Sequence, residues 1–329
     1  MRDHHHGDAD RPVDQAAVIC GIGAELPPTA LSNADLCTRL DTTDEWIRSR
    51  TGIAQRHIAG ADVSTEDMAV SAGARALRSF GSRRVQALVL ATTTPDRCCP
   101  ATAHAVASRL GLSGVPALDL AAGCTGFLYG LATAAGFIAS RMAEAVLVIG
   151  ADRLSTLPAR GDRTTVPLFG DGAGAVVLRR GQACEDGAIG PVVLGSDGTH
   201  GDLIQAPRAG TLRMQGSEVF RHAVDRMASA STQAATAAGW RMQDVDRLVP
   251  HQANARITSF VARQLDVPAE RQLHNIHSVG NTGAASIPLL LAQAAADGRL
   301  KAGHRVLLAA FGAGLTWGAT TVTWPDLTP

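Results

Sequence analysis

Short apolar runs and longer helical stretches alternate along most of this chain. Runs at 13–22, 85–91, 116–120, 145–150, 247–249 and 305–310 are built largely from Val, Ile, Leu and Ala and predict strands, with those at 116–120 and 145–150 buried. Stretches at 102–110, 125–139, 217–238 and from the HQAN segment at 251–254 to about 265 predict helices, as does the Ala/Leu-rich stretch after residue 286. Ser64 marks another helix start, because Asp67 stands three residues on, where a carboxylate can reach back to the cap. Strand and helix in alternation predict an α/β chain with largely parallel strands.

The order repeats. FGDGAGAVVL at 169–178 closes the first series and FGAGLTWGAT at 311–320 closes the second. Each is Phe-Gly, a Gly-rich turn, then a strand of small residues. The echo predicts a duplicated unit of roughly 150 residues, about the size of one domain. Glycines let backbones approach closely where two such units meet. The run at 170–174 is a poor nucleotide fingerprint, since it lacks G-x-G-x-x-G spacing and does not join a first strand to a helix. Residues 1–12 are polar and are expected to form a flexible, solvated tail with no apolar signal segment.

Charge narrows the partners. Among 329 residues, 30 Lys+Arg balance 30 Asp+Glu, which gives no support to nucleic acid or an anionic membrane as a bulk partner. No run of apolar residues is long enough to predict a transmembrane helix. The six cysteines (Cys20, Cys37, Cys98, Cys99, Cys124, Cys184) lack the spacing of a zinc site or a disulfide framework, so a reducing, cytoplasmic setting is expected and no metal.

Candidate chemistry gathers at three junctions. Cys124 stands where the strand at 116–120 meets the helix at 125–139. Unpaired N–H groups and the positive end of a helix dipole there predict a thiol pKa lowered toward neutrality, and so a nucleophile for an acyl carbon. A buried free cysteine is just as often inert core, so the other two junctions matter. His251 follows a predicted strand and opens a helix, and Asn281 sits in a Gly-punctuated loop before another helix. Alone, the His reads as a cap and the Asn as turn chemistry. Together, Cys, His and Asn make a nucleophile with two polarising groups.

These stretches, with DEWIRSRTGI at 44–53, GNT at 280–282 and the two Phe-Gly segments, resemble β-ketoacyl-acyl-carrier-protein synthase III over about residues 15–325. That family is a priming condensing enzyme of the thiolase superfamily. The resemblance implies a thiolase-like five-layered αβαβα sandwich of two duplicated halves, here 13–181 and 182–329. It implies that Cys124 takes an acyl group from acyl-CoA, then condenses it with malonyl-acyl carrier protein after decarboxylation. Backbone N–H groups of Cys124 and Ala313 would hold the oxyanion, Ala313 standing where the family often has Gly. His251 and Asn281 would donate to the enolate oxygen, a task that an Asp at 281 would oppose.

Further roles carry over by position. Trp46 and Arg163 match a pair that sandwiches the CoA adenine, Arg50 a residue near the CoA phosphates, and Asn254 one that positions a water or the pantetheine arm. Arg221, Arg256 and Arg263 form a basic patch for the acidic carrier protein. Cys99 matches the residue that closes the acyl pocket across a homodimer. Many acetyl-specific members have Phe there, so the smaller Cys99 predicts a starter larger than acetyl. No cofactor beyond the acyl-CoA substrate is implied, and the pathway is fatty-acid or type II polyketide synthesis. Two alternatives stand beside this: a related acyltransferase with a non-malonyl acceptor, and a non-catalytic thiolase-like scaffold subunit. A scaffold commonly loses its nucleophile, whereas this chain keeps Cys124, His251 and Asn281.

Overall fold

The computed structural model describes residues 15–207 and 210–329, so the expected tail at 1–12 lies outside it. Two mixed sheets carry the fold. The first has strand order Gln15–Glu25, Asp171–Gln182, Ala145–Arg153, Ala87–Ala91, Ala117–Leu120. The second has order Val193–Ser196, Thr316–Thr323, Arg305–Gly312, Arg247–Pro250. In both, the first two pairings are antiparallel and those that follow are parallel. The repeated order and direction are the duplication expected from the Phe-Gly echo. Both echoing segments feed the same strand position, Asp171–Gln182 and Thr316–Thr323.

The expectation of largely parallel strands is corrected. Arg305–Gly312 and Thr316–Thr323 are joined by a tight turn, and a parallel pair needs a crossover of about a dozen residues or more. The strand expected to be buried at 116–120 is also corrected. Ala117–Leu120 is the edge of its sheet and is half-buried along its length.

Alternating side chains build the layers. Val146 and Val148 point into the middle of the molecule, while Leu147 and Ile149 point to the outside helices. In the second sheet, Val306 and Leu308 point to the middle, with Leu307 and Ala309 outward. The middle layer is the helix pair Gly126–Ala139 and Ser286–Ala296, whose Phe127, Leu131, Ile287 and Leu291 share one core with both sheets. Thr65–Phe80 and Thr102–Arg109 cover the first sheet, and Gly216–Ala237 and Ala255–Gln264 cover the second. This is the αβαβα sandwich. Ser64 caps its helix through the expected box: its Oγ accepts from Asp67 N at 3.0 Å and Asp67 Oδ2 accepts from Ser64 N at 2.8 Å. All six cysteines are free, and no helix among the described residues is long and apolar enough to cross a membrane.

Backbone meets backbone where the halves join. Gly170 N donates to Asn281 O at 2.9 Å and Asn281 N to Leu168 O at 2.8 Å. Nearby, a Cβ on Gly150 would stand 2.3 Å from Ala284 O, so only glycine lets the strand and the loop touch. Gly150→Ala is expected to destabilise the fold by roughly 1–3 kcal/mol, the usual cost of overpacking. Urea unfolding checks this, and an unshifted midpoint would show that the seam yields freely.

Candidate active site

Cys124 occupies a single turn, Gly123–Thr125, between the edge strand and the middle helix Gly126–Ala139. The second half presses on that turn. A Cβ on Gly312 would lie 2.6 Å from Cys124 N, and one on Gly123 would lie 2.9 Å from Ala313 N. Thr316 Oγ1 fastens the contact, 3.0 Å from both Ala122 O and Ala313 O. The N–H groups of Cys124 and Ala313 find no acceptor among the described residues. The two donors named from the resemblance are thus neighbours, and both are free.

His251 follows strand Arg247–Pro250 and is held by its own N–H donating to Ala309 O at 2.7 Å. Its ring is buried, with Nδ1 2.6 Å from Ser286 Oγ. That hydroxyl oxygen also accepts from Gln252 N at 3.2 Å. In the tautomer in which the Ser286 hydroxyl donates to Nδ1, the imidazole proton is on Nε2, which has no partner among the described residues, and the residue lines the cavity. Burial lowers the ring pKa to about 3, so the imidazole is neutral at working pH. Asn281 is oriented in a similar way. Its Oδ1 accepts from Gly283 N at 3.0 Å, which turns the Nδ2 donor away from the loop.

Cys124, His251, Asn281 and Ala313 line one cavity of about 520 Å3. Much of its wall is apolar, with Leu154, Leu157, Leu168, Ile204, Leu212 and Met214. Three chain regions, the outer two 157 residues apart, therefore deliver a thiol, a neutral imidazole and a carboxamide to one space.

The expected low thiol pKa is not found. Burial pushes the Cys124 thiol up to about 12, with the Asp152 carboxylate adding to the rise and only the residue's own N–H opposing it. The helix mouth does not offset the loss of water around the sulfur. Asp152 is a residue that sequence reasoning passed over. Its carboxylate is buried behind Cys124 and accepts from Thr93 N at 2.7 Å and Ala284 N at 2.8 Å, linking the halves beside Asn281. An acidic residue ending an otherwise apolar strand was the available signal. Ser286 was missed too, hidden as the first residue of an apolar helix.

The outer positions are more varied. Trp46 lies on helix Asp44–Thr51, with the guanidinium carbons of Arg163 and Arg50 at 5.3 and 5.9 Å from its ring centroid. Arg163 also donates to Asp41 O at 2.9 Å. Asn254 lines the cavity, and its amide makes two bonds: Oδ1 caps Arg256 N at 2.9 Å and Nδ2 donates to Arg50 O at 3.0 Å. It braces the Trp46 helix and keeps a second Nδ2 hydrogen beyond these two bonds. Cys99 is exposed and is not part of the cavity wall of its own chain. Arg221, Arg256 and Arg263 are exposed on the two helices covering the second sheet, and Arg221 is paired with Glu218.

A two-half sandwich with a cysteine, a histidine and an asparagine in one cavity defines an acyltransferase of the thiolase fold. Comparison with known proteins is specific. Residues 118–198 match the family model for 3-oxoacyl-[acyl-carrier-protein (ACP)] synthase III, and residues 235–324 match the model of its C-terminal part. A β-ketoacyl-[acyl-carrier-protein] synthase III from Streptomyces coelicolor is 52% identical over 96% of this chain and 99% of its own length. The crystal structure of 3-oxoacyl-(acyl carrier protein) synthase III from Pseudomonas aeruginosa superposes with a TM-score of 0.93 at 51% identity, covering 95% of this chain and 100% of that one. The priming β-ketosynthase of the R1128 polyketide pathway superposes at 0.90 with 34% identity, covering 97% and 99%. The chain belongs to the β-ketoacyl-acyl-carrier-protein synthase III family.

The thiol's environment has a direct consequence. Raised toward 12, the thiolate fraction grows with every unit of rising pH. Iodoacetamide labelling of Cys124 is expected to accelerate about tenfold per unit between roughly pH 7 and 10. A plateau near pH 8 would show a depressed thiol instead.

Proposed function

We propose that the protein primes chain synthesis by a two-stage condensation. In the first stage, Cys124 attacks an acyl-CoA thioester. The acyl group moves to the sulfur, and CoA leaves as its thiol, carrying away the proton that Cys124 gives up. The Cys124 and Ala313 N–H groups receive the oxyanion; one such donor is typically worth ~2.7–4 kcal/mol of barrier. In the second stage, malonyl-acyl carrier protein loses CO2. His251 Nε2 and Asn281 Nδ2 donate to the thioester oxygen as the enolate forms. Its carbon attacks the acyl group, a β-ketoacyl-carrier protein leaves, and a proton returns to the sulfur.

One observation carries this reading: both polarising groups are neutral donors. His251 Nε2 has no protein partner and carries the ring proton when the Ser286 hydroxyl donates to Nδ1, and the carboxamide has its oxygen tied to Gly283 N. Neither withdraws a proton, which suits a carbanion supplied by decarboxylation.

The starter is larger than acetyl in this reading. The leucine-rich wall of the cavity supports it, as does the small Cys99, which a partner copy would bring to the pocket. The functional unit is a homodimer, a reading supported by the open ladder of edge strand Ala117–Leu120. Trp46, Arg50 and Arg163 would receive the CoA nucleotide, the adenine entering between the Trp46 ring and the Arg163 guanidinium that stands 5.3 Å from it. The division of the chain at 181/182 is part of the same reading.

The test is a condensation assay with malonyl-carrier protein over a series of acyl-CoA starters. Propionyl, branched or longer starters are expected to exceed acetyl in initial rate, and Cys124→Ala is expected to abolish acyl transfer to the protein. A clear preference for acetyl would refute the starter size. Undiminished acyl loading of Cys124→Ala would refute the mechanism.

A further inference from the structure

Asp152 is a wholly buried carboxylate to which the two-stage condensation assigns no part. It stands near the end of strand Ala145–Arg153, and every partner it has among the described residues is a neutral donor. Taking a carboxylate out of water with no cation beside it is costly. Buried acidic groups of this kind concentrate at functional sites.

Its two oxygens face different halves of the molecule. Oδ1 accepts from Thr93 N at 2.7 Å and from the Thr93 and Thr94 hydroxyls at 2.8 and 3.2 Å. Those residues form the bend after strand Ala87–Ala91, and Thr92 and Thr93 of that bend line the cavity. Oδ2 accepts from Ala284 N at 2.8 Å, in the turn that follows Asn281. Gly283 packs directly on the carboxylate, since a Cβ there would stand 2.3 Å from Oδ2. The N–H of Gly283 is the group that holds Asn281 Oδ1 and leaves Nδ2 as that side chain's donor. A continuous series of contacts therefore runs from the carboxylate, through the turn at 283–284, to the Asn281 amide.

Asp152 does not line the cavity, so it acts only through what it holds. The arrangement needs an acceptor at both ends of one short side chain. A carboxylate meets that need, whereas an amide of the same shape would set its NH2 group against a backbone N–H. Bonds to an ionised carboxylate are also shorter and stronger than neutral ones, which stiffens the grip. We propose that Asp152 is the positioning residue of the second stage: its carboxylate ties the threonine bend of one half to the turn after Asn281 of the other, and so aims the Asn281 amide at the enolate oxygen. The inference rests on the decarboxylating stage proposed above and adds the group that keeps its donor in place.

The test uses Asp152→Asn in the full chain and follows the two stages separately. CO2 release from malonyl-carrier protein is expected to fall at least about tenfold in kcat with KM within about twofold, as when an interaction made in the transition state is loosened. Acyl transfer from acyl-CoA to Cys124 is expected to hold or rise, because a negative charge that opposes the thiolate is gone. In an Asn281→Ala background the same change is expected to cost less than about a further twofold, since the residue it works through is already missing. Thr94→Val, which takes one hydroxyl from Oδ1 and lies off the cavity wall, carries the test if Asp152→Asn does not fold. There, CO2 release about threefold slower with loading held supports the role, and an unchanged release overturns it. Parent-rate CO2 release in Asp152→Asn, while Asn281→Ala is slow, would overturn the positioning role and leave the condensation standing. Equal loss of loading and CO2 release, or a tenfold loss repeated in the Asn281→Ala background, would overturn it too. A parent enzyme that acylates Cys124 but never releases CO2 from malonyl-carrier protein would sink the condensation reading itself.

Discussion

Everything in the site depends on two similar halves touching through bare backbone. Side chains between them would hold the sheets and loops too far apart. At Gly150 the strand of one half abuts the Ala284 carbonyl of the other, and at Gly312 the last turn abuts the Cys124 amide. The hydrogen bonds of residues 168–170 to Asn281 continue that contact as a short ladder. Because the contact is between main chains, its geometry is insensitive to rotamers. A nucleophile from one half and its polarising groups from the other can then be held to the tolerance that catalysis needs.

Such close packing also sets the electrostatics. Burial acts on Cys124 and His251 in opposite directions: the thiol is raised to about 12 and the imidazole lowered to about 3. Both stay uncharged at rest. Around the reacting groups the cavity is then uncharged, and its polarity there comes from fixed donors. In such a medium a donor aimed at developing negative charge is worth more than in water. Ser286 and Gly283 share in this by aiming the His251 and Asn281 donors.

Much of this architecture was legible in the sequence. The paired Phe-Gly segments foretold the duplication, and the three junctions of Cys124, His251 and Asn281 foretold which residues would meet. What could not be read was anything set by three-dimensional burial. Cys124 looked activated because its local sequence ends in a helix mouth, but desolvation and Asp152, distant in sequence, outweigh the dipole. The bracing part of Asn254, which caps a helix and holds Arg50 O while lining the cavity, could not be read either. Arg56 gave no signal at all. It is wholly buried, donating to Asn33 Oδ1 at 2.7 Å and Pro167 O at 2.9 Å, and it backs the Asn281 loop where a Cβ on Gly280 would strike it. A buried cation with only neutral partners is rare enough that no pattern in one sequence predicts it.

The two stages make separate demands on the site, and a single substitution can divide them. Asn281→Asp keeps the shape but replaces a donor with negative charge where enolate charge would develop. The most direct measurement compares two rates in that variant: acyl transfer from acyl-CoA to Cys124, and CO2 release from malonyl-carrier protein. If a neutral donor at 281 serves only the enolate, loading stays near the parent rate and CO2 release falls by about 100-fold or more, as when an oxyanion donor is removed. Decarboxylation that persists at the parent rate, or loading that falls in step with it, would contradict this division of labour between the halves.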